Sequence, residues 1–195
     1  EKYIKNKNFD VTYHLAAQPG VQYSLINRES YFDNNIKSQF NILESIVKYK
    51  FTKQFIYGSS SSVYGENSNK KEDSNLDKQE SFYATSKKIS ELMASNYSHL
   101  YKFKSTGVRF FTVYGPFGRP DMAPLIFLKS VYKKKKIKLY NSGNSLRSFT
   151  YISDVVSCLI KLSNNKKFLR DKYNFHKIYN IGNDKNISTL SFLKL

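Results

Sequence analysis

The amino-acid sequence predicts an α/β protein with a parallel sheet and crossover helices. Three observations carry that prediction. Apolar, β-prone runs recur at residues 11–15, 51–57 and 105–113. Two stretches with helical spacing, 30–49 and 82–101, lie between them, and such strand–helix–strand alternation implies parallel neighbours joined by crossovers. Finally, 40% hydrophobic content, with 15 Phe and 16 Tyr in 195 residues, supplies the core of a large domain or a domain and a half.

The first run ends in small residues and a turn: Ala16, Ala17, Gln18, Pro19 and Gly20. A strand that stops this way lets a flat ligand approach the backbone, as at the carboxyl edge of a doubly wound sheet, although a tight strand-to-loop turn has the same composition. Over 30–49, Phe32, Ile36, Phe40, Leu43, Ile46 and Val47 recur at helical spacing and define an amphipathic helix. Asn34 and Asn35 fall in its first turns, facing solvent or a ligand. The second strand runs into Gly58 and the serines Ser59, Ser60, Ser61 and Ser62, which either cap their own loop or set a hydroxyl beside a reacting oxygen. Residues 66–80 are charged and turn-rich, a surface loop.

Helix 82–101 carries Tyr83 and Lys87 four residues apart, hence on one face, with Leu92, Met93 and Leu100 as core contacts. An ammonium beside a phenol favours the phenolate, which makes the tyrosine a usable general acid/base near neutral pH. That spacing alone is common on ordinary helices, so its meaning depends on the flanking chain. After the third strand come a turn-rich loop at 115–120, a helix at 122–131 and a short apolar run at 137–140. A turn at 141–144, a run at 147–152 and a helix at 155–162 capped by Ser153 or Asp154 follow. A basic loop at 166–177, a strand at 178–182 and a helix from Ser188 complete the chain.

A net charge of +17 raises the question of nucleic acid. Only Arg28, Arg109, Arg119, Arg147 and Arg170 among the 32 basic residues are arginine, whereas phosphate and base readers lean on arginine forks. The densest run, Lys133 to Lys136, follows an apolar helix whose dipole favours cations there. Nucleic acid is therefore not expected as a partner, and an anionic small substrate would gain from the same field. No run of about 18 apolar residues suggests a membrane span. The single Cys158 excludes an intrachain disulfide framework and suits a reducing cytoplasm.

Six landmarks in order, HLAAQ (14–18), YGSSSSVYG (57–65), YATSK (83–87), RFFTVYGPFGRPDM (109–122), RSFTYISD (147–154) and YNIGN (179–183), resemble the extended short-chain dehydrogenase/reductase family. Within it they are similar to nucleotide-sugar epimerases, with UDP-glucuronate 4-epimerases nearest in motif. The resemblance implies a Rossmann-like doubly wound parallel sheet over residues 1–115 and a partial substrate-binding region over 116–195, some of whose segments return to the sheet. It implies catalytic Tyr83, Lys87 and Ser60, and NAD lined by Leu15, Ala16, Ala17, Gln18, Asn34, Tyr83, Lys87 and Phe111. Ser60, Ser61, Thr112, Arg119 and Arg147 match substrate-side positions, and no metal is implied. A UDP-sugar is the implied substrate, and a homodimer through helices 36–47 and 89–100 the implied assembly.

In that family, Tyr83 would take the sugar 4-OH proton while C4 is transiently oxidised by NAD. Lys87 would keep the phenolate ionised, and Ser60 would bond the same oxygen. A uronate intermediate is a β-keto acid whose carboxylate must be held, with Thr112 and Arg119 as the expected hold. The sequence departs from the family in three ways. The first strands and the Gly-rich turn that cradles a pyrophosphate are absent from these residues, the chain stops inside the substrate region, and Ser148 and Ser153 stand where relatives carry Asp. These residues alone are thus expected to bind NAD poorly and show little activity. A 4,6-dehydratase would need a carboxylate pair near the serine block, where Ser60, Ser61 and Ser62 stand instead. Another epimerase, or a non-catalytic basic interaction module, is the remaining alternative.

Overall fold

A computed structural model describes residues 3–67, 69–137 and 139–194. The elements begin with β1 (Phe9–His14), α1 (Val21–Ile26), α2 (Arg28–Tyr31), a π-helical turn (Phe32–Lys37) and α3 (Ser38–Tyr49). There follow β2 (Thr52–Ser60), a 3-10 turn (Ser61–Tyr64), α4 (Phe82–Tyr101), β3 (Lys104–Phe110) and β4 (Thr112–Tyr114). The remainder is α5 (Ala123–Tyr132), a 3-10 turn (Tyr140–Gly143), β5 (Leu146–Tyr151), α6 (Ile152–Ser163), α7 (Lys166–Arg170), β6 (His176–Ile181), β7 (Asn186–Ser188) and α8 (Thr189–Leu193). The chain packs as two units, Glu1–Phe110 with Lys161–Asn180, and Phe111–Ile160 with Ile181–Leu195.

The first unit is the expected α/β layer structure. Its sheet has the order β1-β2-β3-β6, and β2 runs parallel to both β1 and β3. Consecutive residues of β2, Phe55, Ile56 and Tyr57, are all fully buried. Successive strand side chains point to opposite faces, so both faces of the sheet are covered, as a doubly wound sheet requires. The core gathers Phe51, Phe55 and Tyr57 against Leu43 and Ile46 of α3 and Ala94 of α4. At Gly107 of β3 an added Cβ would come within 2.6 Å of Ile178 and 2.7 Å of the Tyr57 ring, so only glycine lets that tyrosine lie across the sheet.

In the second unit β5 pairs parallel with β4 and antiparallel with β7. Phe149 stacks on Phe192 of α8 with ring centroids 4.1 Å apart, and Tyr114 presents its edge to both. Ser188 caps α8 by accepting the Ser191 N–H at 3.0 Å.

Several expectations are corrected. The 30–49 helix is three segments, and its buried stripe is Tyr31, Asn35, Gln39, Leu43 and Ile46, while Phe32 and Phe40 are exposed. The π turn inserts an extra residue per turn and rotates the face that reaches the core. On α4 Met93 packs on the core, but Leu92 and Leu100 are 59% exposed. The third strand breaks at Phe111 into β3 and β4. Residues 166–170 form a helix rather than a loop, because Asn165 accepts the Phe168 N–H at 3.1 Å and caps it. The 137–140 run includes Lys138, which lies outside the described residues.

Candidate functional site

The site is built where α4 meets the carboxyl ends of β1 and β2. Ser81 starts the helix with its hydroxyl, which accepts the Ala84 N–H at 3.1 Å. That cap sets Tyr83 in the first turn and Lys87 one turn later, on one face. The Lys87 ammonium reaches the strand and donates to the Gly58 carbonyl at 2.8 Å. Burial disfavours its charged form and pushes its pKa down to about 8. Two residues beyond that carbonyl, Ser60 ends β2 in extended backbone and turns the chain, its Oγ accepting the Ser62 N–H at 3.2 Å. The hydroxyl proton of Ser60 is still free to donate.

The β1 edge is tied to the same helix. His14 pairs in register with Tyr57, which places Leu15 beside Gly58, where an added Cβ would meet Leu15 Cδ2 at 3.7 Å. Burial and then the charge of Lys87 push His14 down to about 4. Gln18 is clamped at both backbone atoms by Asn35. Its N–H donates to Asn35 Oδ1 at 2.7 Å, and its carbonyl accepts Asn35 Nδ2 at 3.0 Å. The same Nδ2 donates to Ser86 Oγ at 2.9 Å, directly before Lys87. The Tyr31 hydroxyl donates to the Pro19 and Gly20 carbonyls, and its ring meets that of Tyr83 edge-on with centroids 5.9 Å apart.

Ser60, Tyr83 and Lys87 therefore share one end of the sheet with Leu15, Ala16, Ala17 and Gln18. Asn34 is exposed and donates to the Ser30 carbonyl at 2.7 Å. Asn35 is the asparagine that the fold ties to Gln18, because the π turn brings Tyr31, Asn35 and Gln39 inward in place of Phe32, Ile36 and Phe40. Ser61 opens the 3-10 turn and is half-buried. Phe111, Thr112, Arg119 and Arg147 belong to the second unit. There Phe111 lies against Gly182, Thr112 pairs with Phe149 in β4, Arg119 forks onto the Asp121 carboxylate, and Arg147 stands exposed on β5 opposite Ile187.

A buried polar network went unread in the sequence. Glu91, two turns after Tyr83, accepts from Arg109 Nε at 2.8 Å and Nη2 at 2.9 Å, and from Ser59 Oγ at 2.6 Å. Arg109 also donates to Tyr64 Oη at 2.8 Å, and that hydroxyl donates to Asn180 Oδ1 at 2.8 Å. Burial opposes the guanidinium charge, but the hydrogen bonds and charge of Glu91, with those of Tyr64, more than offset it and hold Arg109 above its ordinary value. The missed signal was a carboxylate at i+4 from Lys87, on the inward face of the helix. Nearby, Tyr57 Oη and His176 Nε2 lie 3.0 Å apart, and burial lowers His176 to about 4.

The donor set suits the nicotinamide–ribose end of a dinucleotide. A buried ammonium uses one N–H on the Gly58 carbonyl and can offer the others to a ribose, beside a strand end of small residues. Among the described residues no group of three or more His, Cys, Asp or Glu could hold a metal ion, and no helix is long and apolar enough to cross a membrane.

Comparison with known proteins agrees with this geometry. The model of the NAD dependent epimerase/dehydratase family matches residues 1–182. Protein CapI of Staphylococcus aureus is 43% identical over 198 residues, covering 95% of this chain and 59% of that protein. UDP-glucuronate 4-epimerase 4 of Arabidopsis thaliana is 42% identical over 172 residues, 85% of this chain and 39% of that protein. Among solved structures, UDP-glucuronic acid 4-epimerase from Bacillus cereus, in complex with UDP-glucuronic acid and NAD, superposes with a TM-score of 0.86 at 34% identity. The match covers 95% of this chain and 58% of that one. The chain thus spans at most about three-fifths of the length of these three proteins.

Proposed function

Because the chain belongs to the NAD dependent epimerase/dehydratase family, we propose that it carries the catalytic face of a nucleotide-sugar 4-epimerase that interconverts UDP-glucuronate and UDP-galacturonate. The observation that carries the reading is the Lys87–Gly58 hydrogen bond, which fastens the Tyr83/Lys87 face of α4 to the strand end that bears Ser60. Similarity to UDP-glucuronate 4-epimerases supports the choice of sugar.

Each residue then has a task set by its chemistry. Tyr83 Oη takes the proton of the sugar 4-OH and returns it. The Lys87 ammonium stabilises the phenolate across one helical turn and holds the nicotinamide ribose. The Ser60 hydroxyl bonds the same sugar oxygen and fixes its direction. Leu15, Ala16, Ala17 and Gln18 line the cofactor and Asn35 holds Gln18 in shape; Asn34 and Phe111 are the further proposed cofactor contacts. When bound, NAD supplies reversible two-electron oxidation of the sugar carbinol. Ser61, Thr112, Arg119 and Arg147 bind the substrate, the arginine forks suiting its carboxylate and diphosphate.

A homodimer is part of the same proposal. Phe40, Leu92 and Leu100 leave apolar surface exposed along the two helical stretches, 36–47 and 89–100, that would face a second copy.

The test is direct. The full-length protein, incubated with UDP-glucuronate, is expected to yield UDP-galacturonate at equilibrium by NMR. A 4-keto-6-deoxy product from a UDP-hexose, with no action on UDP-glucuronate, would replace the epimerase with a dehydratase.

A further inference from the structure

We infer that Glu91 and Ser59 are positioning residues that fix the register of α4 against the end of β2, and with it the geometry of Ser60, Tyr83 and Lys87. The inference rests on the epimerase reading for its kinetic arm only. Helix α4 grips two consecutive residues of β2 from one face. Lys87 holds the Gly58 carbonyl at 2.8 Å, and Glu91 holds the Ser59 hydroxyl at 2.6 Å. Ser60 is the next residue, so any slip of the helix along the strand moves Tyr83 relative to it.

The second grip would be weak if Glu91 could swing. It cannot, because Arg109 of β3 forks onto both carboxylate oxygens at 2.8 and 2.9 Å, with both side chains almost fully buried. The guanidinium is itself braced by the Tyr64 hydroxyl at 2.8 Å and lies over the Tyr64 ring at 4.8 Å. Tyr64 ends the 3-10 turn that Ser60 caps. The network thus encloses Ser60 from both sides in sequence, at Ser59 and at Tyr64. A buried carboxylate with three such hydrogen bonds has one orientation, which is what a positioning group needs. A purely structural ion pair would need only Arg109; the bond to Ser59 is the part that points at the site.

Ser59→Ala separates the two roles, because it deletes that bond and leaves the Glu91–Arg109 pair intact. In the full-length protein it is expected to lower kcat about tenfold with KM for UDP-glucuronate within twofold, while the protein stays folded with a melting temperature lowered by only a few degrees. Ser59→Thr, which restores the hydroxyl, is expected to recover most of the loss. A second readout needs no turnover: the Lys87 side chain, followed by NMR titration, should move from about 8 toward the ordinary lysine value in Ser59→Ala as water enters the loosened contact. Unchanged kcat and unchanged Lys87 titration in a folded Ser59→Ala protein would overturn the inference. So would a loss of activity that merely tracks the folded fraction. If the wild type shows no epimerase activity, the functional reading fails and the Lys87 titration alone decides, upward movement supporting positioning and no movement refuting it.

Discussion

The carboxyl ends of β1 and β2 and the arginines of the second unit follow opposite designs. Around α4, polar groups are buried and multiply bonded: Lys87 on Gly58, Asn35 on Gln18 and Ser86, and Glu91 on Ser59 and Arg109. Arg119 and Arg147 stand at the surface, the former forked onto a carboxylate two residues away. The difference teaches that Lys87 and the polar groups around it are held by the fold itself. The proposed substrate-reading groups lie nearer solvent, Arg147 exposed and Arg119 held through a neighbouring surface carboxylate. Changes to the buried network should therefore alter stability measurably, whereas changes at the surface arginines should alter recognition with little effect on stability.

Tyr83→Phe should have the largest effect, lowering kcat by about 10²–10⁴ while bound NAD is retained, since only the proton carrier is removed. NAD content by absorbance after denaturation checks the second half. Arg109→Met comes next. It leaves the buried Glu91 with Lys88 at 3.8 Å and the Ser59 hydroxyl as partners, and breaking a buried pair typically costs about 3–5 kcal/mol. Urea denaturation would show it, and a loss below about 1 kcal/mol would mean that the network is not as dry as its burial implies. Asn35→Ala, which orphans both backbone groups of Gln18, should cost about 1–3 kcal/mol. Asn34→Ala, one position away, should stay within ±0.5 kcal/mol.

Lys87 sharpens the comparison through pH. Its folded value of about 8 lies below that of an unfolded lysine, so from about pH 8 to pH 10 the unfolded chain binds more protons and the contribution of Lys87 to stability rises with pH. The melting temperature of Lys87→Met should exceed that of the wild type at pH 7, and the gap should shrink as pH passes 8. Catalysis runs the other way, since kcat/KM falls when the ammonium is lost. The smallest effect belongs to the second region. Arg119→Ala should leave stability within about 0.5 kcal/mol while raising KM for UDP-glucuronate.

The parallel sheet and helix α4 were legible because their signals are periodic and local: β-prone runs ending in small residues, and a long helical stretch from Phe82. Ser60, Tyr83 and Lys87 could be singled out as site candidates because they sit in short motifs. What escaped was the inward face of helix 30–49. Regular spacing favours Phe32, Ile36 and Phe40, but the π turn brings Asn35 and Gln39 inside, and no apolar pattern announces a buried amide. Glu91 escaped for a related reason. A carboxylate on an inward helix face makes sense only once Arg109, eighteen residues later on another strand, is known to meet it. The break at Phe111 was equally invisible, because β-prone residues run straight through it.

The most direct test of the central claim is NMR-monitored conversion of UDP-glucuronate by the full-length wild type and by Tyr83→Phe, each carrying NAD. The account predicts UDP-galacturonate from the wild type and at least a hundredfold slower formation from the variant at equal NAD occupancy. Equal rates from the two proteins, or no conversion by the NAD-loaded wild type, would contradict it.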